Sequence, residues 1–152
     1  MTQKILQLEF YISLAMKILS KSKIIGKKSV KSVMNERAIL EKVRSQFIVN
    51  IILAFQDKEN LYIVTDFISG GDLRFNIHSK KLFTEIETRF IIASILTGLE
   101  FLHQNNIIHR DIKPENIVLD EFGYARITDF GIAREYHSDN HSETSGTKYS
   151  AL

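Results

Sequence analysis

Two short stretches hold most of the side chains that could do chemistry. The first is HRDIKPENIVL at 109–119 and the second is DFG at 129–131. Asn116 and Asp129 offer amide and carboxylate oxygens, hard ligands that suit Mg²⁺ better than softer metals. Lysines such as Lys17 and Lys113 are compact cations fit for an anion such as phosphate. Taken singly, each residue also has an ordinary reading: Lys17 as a surface cation, Asp111 and Asp129 as turn carboxylates, Asn116 as a turn cap. The chain has no cysteine, and His78, His103, His137 and His141 show no metal spacing, which argues against zinc. His109 reads as a packed core residue. A net charge of only +2 gives no global field toward nucleic acid or an anionic membrane, so any phosphate binding must be local.

Elements must hold these residues in place, and 152 residues allow one domain at most. Residues 8–19, LEFYISLAMKIL, read as a strand with Lys17 near its end, with a short amphipathic helix as the alternative. A basic loop, SKSKIIGKKS, follows. The period of VKSVMNERAILEKVR at 30–44 is helical: Val33, Glu36, Leu40 and Val43 step by three, four and three onto one face. A carboxylate inside an apolar stripe implies a charged partner, against the usual surface glutamate. FIVNIILAFQD and NLYIVTDF, joined at Asp57–Asn60, predict a hairpin. Gly70 and Gly71 then mark a joint, followed by a short helix in DLRFNIHSKKLF. Thr84 and Glu87 have the capping-box spacing ahead of a helix over 85–103, apolar enough to be buried on several sides. Two short runs about a turn at Glu121–Gly123 come next, then a polar stretch, EYHSDNHSETSGTK, that reads as a flexible loop.

The joint order of these pieces resembles the protein kinase family. Its signature is H-R-D with an Asn five residues after the Asp, then D-F-G, preceded by a strand lysine and a helix glutamate. Here those positions are Asp111, Asn116 (116 − 111 = 5), Asp129, Lys17 in AMK and Glu36 in NERAIL. The resemblance covers roughly residues 10 to 151 and implies an α+β, partial two-lobe fold. A small antiparallel sheet with a helix (1–67) would stand over a mainly helical, truncated lower lobe (68–152), with nucleotide in the cleft.

The resemblance also implies the cofactors, ATP and Mg²⁺, and a protein substrate with a Ser/Thr acceptor. Asp111 would orient the hydroxyl and accept its proton. Lys113 would meet the transferring phosphate, and its presence suggests serine/threonine rather than tyrosine specificity. Asn116 and Asp129 would hold the metal. Lys17, paired with Glu36, would hold the α- and β-phosphates. Thr65 would gate the adenine pocket, Asp66 and Ile68 would offer backbone groups to the adenine edge, and Ala15 and Val118 would sandwich the ring. Asp72 would meet ribose or a basic substrate residue, and Glu115 a basic substrate residue. GGDL, NERAIL and ITDFGIA look most like the branch containing the cyclic-nucleotide-dependent kinases. Glu143 stands where that branch carries a phosphothreonine, so it is expected opposite Arg110, unless Ser142 or Thr144 is phosphorylated instead.

Three departures temper this. No G-x-G-x-x-G precedes Lys17, KYSAL follows Thr147 where the family has a longer spacer and A-P-E, and no segment supplies the central helix of the lower lobe. The expected function is therefore a serine/threonine protein kinase by motif, truncated as given, with little turnover from this stretch alone. The alternative is a non-catalytic remnant that binds nucleotide, or a protein through exposed lower-lobe surface. A small-molecule phosphotransferase fits Lys113, D-F-G and the loop ending at Gly146–Thr147 less well. No signal peptide or apolar run near the ~20 residues of a membrane span is evident, and the lack of cysteine fits a reducing compartment, so a cytoplasmic location is expected.

Overall fold

The computed structural model describes residues 13–136. Largely apolar runs build β1 (Leu14–Ser20), β2 (Ile51–Gln56) and β3 (Asn60–Asp66) into an antiparallel sheet of order β1-β3-β2. Register pairs Ala15 with Thr65 and Lys17 with Ile63. Because side chains alternate along a strand, these four share one face. Lys17 is thus central in a shorter strand than expected, and residues 8–12 lie outside the described residues.

The basic stretch expected as a loop contains a helix, α1 (Lys21–Gly26). Ile24 is buried there, and that anchor outweighs the loop-like composition around it. The main helix of this lobe, α2 (Val30–Lys42), stops two residues before the expected end, where Val43 turns to extended backbone. Of the expected stripe, Glu36, Leu40 and Val43 are buried and Val33 is half-buried, and Ile39 is buried beside them.

The lower lobe begins beyond β3. Short α3 (Leu73–Lys80) is followed by α4 (Glu85–Gln104), opened by the full capping box: Thr84 Oγ1 accepts the Glu87 N–H and the Glu87 carboxylate accepts the Thr84 N–H. Helix α4 is not buried on several sides. Ile91, Ser94, Gly98 and Leu102 form one buried line, whereas Ile86, Ile92 and Leu96 are exposed. That line packs on β6, and a Cβ on Gly98 would come within 3.0 Å of both Ile127 Cδ1 and Phe47 O. Strands β5 (Ile117–Leu119) and β6 (Ala125–Ile127) form the expected antiparallel pair; β4 (Ile107–Ile108) pairs with β7 (Arg134–Glu135). Ile48, Leu102, Ile107, Ile117, Ile127 and Phe130 are almost fully buried and form the floor beneath both functional loops.

The two lobes meet at the glycines. Gly70 N–H donates to Leu119 O and Leu119 N–H to Gly71 O, both at 2.9 Å. A Cβ on Gly70 would lie 2.3 Å from Leu119 O, and Gly71 takes φ +73°, so the joint needs glycine at both places.

Candidate active site

The loop between β4 and β5 gathers three of the expected side chains. Asp111 Oδ2 accepts from Lys113 Nζ at 2.7 Å and from Asn116 Nδ2 at 2.8 Å, and Asn116 Nδ2 also donates to Asp111 O at 2.9 Å. The Lys113 hydrogen bond first, then that from Asn116, holds the Asp111 carboxyl below its ordinary range. The same contact raises Lys113. With its nitrogen spent on Asp111, Asn116 keeps its side-chain oxygen for a hard cation.

Buried His109 supports this loop from beneath. Its Nε2 lies 3.0 Å from the Thr128 carbonyl and its Nδ1 3.3 Å from the Asp111 N–H. One neutral tautomer satisfies both contacts: Nε2–H donates and Nδ1 accepts. Burial pushes the His109 pKa down, which favours that form. Its ring also meets Phe130 edge-on at 5.0 Å. The expected core role therefore stands.

The second loop is joined to the first through the backbone, since Thr128 N–H donates to Asn116 O at 2.9 Å. Asp129, the next residue, is exposed at φ +63°, while Phe130 is 1% exposed. Burial of Phe130 holds an aspartate in the sparsely populated left-handed region and turns its carboxylate outward. Arg110, at φ +68°, is held in turn by its guanidinium donating to Ile132 O. No cluster of three acidic or imidazole ligands exists among the described residues. Mg²⁺ commonly takes one or two protein oxygens, with phosphate and water completing its shell. Asn116 and Asp129 fit such a site.

Lys17 enters from above, as the buried glutamate required. Its Nζ lies 2.9 and 3.0 Å from the two Glu36 oxygens, with the lysine side chain 48% exposed and the glutamate 9%. Residues not singled out in the sequence fix α2 against the Asp129 loop: Ser32 Oγ donates to Gly131 O at 2.5 Å and Asn35 Nδ2 to Ala133 O at 2.8 Å. Ser32 lies four residues before Glu36, on the same helical face, and that spacing was the available signal.

The outer residues are more mixed. Thr65 and Ala15 are paired across the sheet, and Val118 bridges Asp72. Asp66 donates its N–H to Asn50 O and its carbonyl accepts from Thr65 Oγ1 at 3.2 Å. Ile68 lies in the connection beyond β3. Asp72 caps α3, Oδ1 accepting the Phe75 N–H at 2.7 Å, which leaves only its other oxygen for a ligand. Glu115 already pairs with Arg74 at 3.3 Å, so a basic substrate residue would have to displace an internal partner. Lys28, Lys31, Arg110 and Arg134 line a basic groove of about 610 Å³. Glu143, expected opposite Arg110, lies outside the described residues, as do the alternative phosphorylation sites Ser142 and Thr144, and Gly146, Thr147, His137 and His141.

Comparison with known proteins gives the family. The protein kinase domain model matches residues 4–151. A probable serine/threonine-protein kinase of Dictyostelium discoideum is 46% identical over 120 residues, covering 79% of this chain and 26% of that protein. Serine/threonine-protein kinase sgk-1 of Caenorhabditis elegans is 47% identical over 122 residues (80% and 26%). The cAMP-dependent protein kinase catalytic subunit of Arthrobotrys oligospora is 41% identical over 128 residues (84% and 24%). This chain belongs to the protein kinase family and forms a partial kinase-like two-lobe fold. It spans about a quarter of the length of these relatives.

Proposed function

We propose that this domain transfers the γ-phosphoryl group of ATP to a serine or threonine hydroxyl of a protein. The observation that supports it best is the Asp111–Lys113–Asn116 cluster, hydrogen-bonded within itself and tied through Thr128 to the Asp129 loop. Phosphoryl transfer asks a protein mainly to position groups and neutralise charge. Asp111, ionised and fixed by two donors, orients the acceptor hydroxyl and takes its proton as the new O–P bond forms and the β–γ bridging bond breaks. Lys113 exchanges its contact with Asp111 for the transferring phosphoryl oxygens. Asn116 and Asp129 would hold Mg²⁺, which would neutralise charge on the phosphates. Lys17 grips the α- and β-phosphates, and Glu36 keeps its ammonium aimed into the cleft. The adenine edge meets the backbone of Asp66 and Ile68 below Thr65, between Ala15 and Val118, with Asp72 near the ribose. A lobe boundary after residue 67 follows the end of β3 at Asp66.

Label transfer from [γ-³²P]ATP to a Ser/Thr peptide, measured on the native full-length protein with Mg²⁺, tests this. Asp111→Asn is expected to reduce transfer about 10²–10⁴-fold, as for loss of a positioned base. Nucleotide binding with no transfer from either form would support the non-catalytic reading instead.

A further inference from the structure

Arg126 has no part in the chemistry above. It sits on β6 between Ala125 and Ile127, both at 0% exposure, so strand alternation turns it to the opposite face, beside its cross-strand neighbour Val118. There its guanidinium lies between two carboxylates from opposite sides of the joint. Nη2 is 3.2 Å from Asp120 Oδ2, and Nη1 is 3.7 Å from Asp66 Oδ2.

Each carboxylate is fixed by its own surroundings. Asp66, the last residue of β3, accepts at Oδ2 from the Asn50 N–H at 3.1 Å and from Asn50 Nδ2 at 2.8 Å. Asn50 is itself pinned by its side-chain contacts with Ser45 and Ile48. Asp120 accepts at Oδ1 from the N–H groups of Phe122 and Tyr124, both at 3.0 Å, which sets the β5–β6 turn. The guanidinium is the one adjustable member, and its contacts are unequal. The Asp120 side is a hydrogen bond; the Asp66 side is an ion pair too long to be one. Its Nε is buried without a hydrogen-bond partner among the described residues. A planar fork suited to paired contacts is therefore only partly used, at a site where an unmade donor contact is unfavourable.

The location gives this slack a meaning. Asp66 opens the connection that carries the proposed adenine contacts, and Asp120 follows Leu119, whose backbone bonds Gly70 and Gly71. The run at 47–49 already bonds Ile127, so Arg126 supplies a second tether at the other flank of Asp66. We propose that Asp66, Arg126 and Asp120 form an interlobe latch, in which Arg126 is a positioning residue that steadies the connection at 67–72 and tightens on Asp66 when the lobes close. Its nucleotide dependence rests on the reading of the cleft given above; its effect on the connection does not.

Hydrogen–deuterium exchange of the full-length protein, with and without a non-hydrolysable ATP analogue, tests the latch. Arg126→Met keeps the aliphatic stem and removes both charge contacts. It is expected to speed exchange at 67–72 about tenfold, with peptides of α2 unchanged, and to weaken the analogue about fivefold, a usual size for coupling between sites. Arg126→Lys, which keeps the charge but cannot span both acids, should fall between wild type and Arg126→Met. Asp120→Asn should reproduce part of the effect alone and add nothing to Arg126→Met. Unchanged exchange at 67–72, a rise spread evenly over the protein, or full additivity of the two substitutions would each overturn the latch. Failure of wild type to bind the analogue would remove the nucleotide reading, while the exchange of the free protein would still decide whether Arg126 steadies the connection.

Discussion

The floor and the roof of the cleft hold their charged groups by different means. On the floor, Asn116 donates to Asp111 at 2.8 Å, His109 lies 3.0 Å from the Thr128 carbonyl and 3.3 Å from the Asp111 N–H, and Phe130, Ile117 and Ile127 lie beneath at 1% exposure or less. On the roof, Lys17 sits on β1, an edge strand of the sheet among the described residues, between exposed Met16 and Ile18, and among those residues its ammonium donates to the two oxygens of the single Glu36 carboxylate. The floor is thus built like a core, whereas the roof is a cation on a lever whose aim depends on α2. Under the proposed function, Asp111 and Asn116, which would meet the reacting bond, are the fixed groups, and Lys17, which would grip the remote phosphates, is an adjustable one.

The sharpest way to break this contrast is through stability. Phe130→Ala is expected to cost about 3–5 kcal/mol in denaturant unfolding, the usual loss for a buried aromatic. Met16→Ala, on the roof, should stay within about 0.5 kcal/mol. Equal losses would remove the distinction. Activity should show the reverse dissociation. Lys17→Met is expected to lower label transfer about 10²–10³-fold, the size seen when one charge-stabilising donor is lost, while the buried Glu36 left without its cation costs about 1–3 kcal/mol, less than the loss of Phe130. Glu36→Gln should follow the same pattern more weakly.

Such a division was only partly legible in the sequence. Glu36 stood out because a carboxylate on an apolar stripe needs a partner, and the resemblance to protein kinases implied that the partner is Lys17. The floor was legible in its residue types, since H-R-D, Asn116 and D-F-G are local strings. Helix α1 was not, because its one buried side chain, Ile24, is set among lysines and serines that read as loop. Composition alone suggested burial of α4 on several sides, whereas exposed apolar surface was also expected of it, and Ile86, Ile92 and Leu96 are indeed exposed. Arg126 was invisible, because strand alternation places it but the facing acids come from residues 66 and 120, distant in the chain from each other.

Two smaller effects sharpen the comparison. Thr84→Ala removes one side of the α4 capping box and is expected to cost about 1 kcal/mol, read by thermal or denaturant unfolding, with no change in the roof. The floor also carries a pH signature. Burial lowers His109 from 6.5, so the unfolded chain binds the proton more readily than the folded one. Stability contributed by neutral His109 is present above about pH 6.5 and declines as pH falls from there toward the lowered value. Denaturation between pH 8 and 5 should show that decline, and His109→Gln should flatten it.

Metal binding probes the floor most directly. Mn²⁺, used in place of Mg²⁺, can be titrated into the full-length protein with ATP and followed by electron paramagnetic resonance. Asp129→Asn and Asn116→Ala are each expected to weaken nucleotide-dependent Mn²⁺ binding by more than about tenfold, because each removes or weakens one of the few protein oxygens a hard cation of this kind takes. Lys17→Met should leave metal held at those oxygens largely intact. Unchanged Mn²⁺ affinity in Asp129→Asn would contradict the convergence of the two loops on one cation.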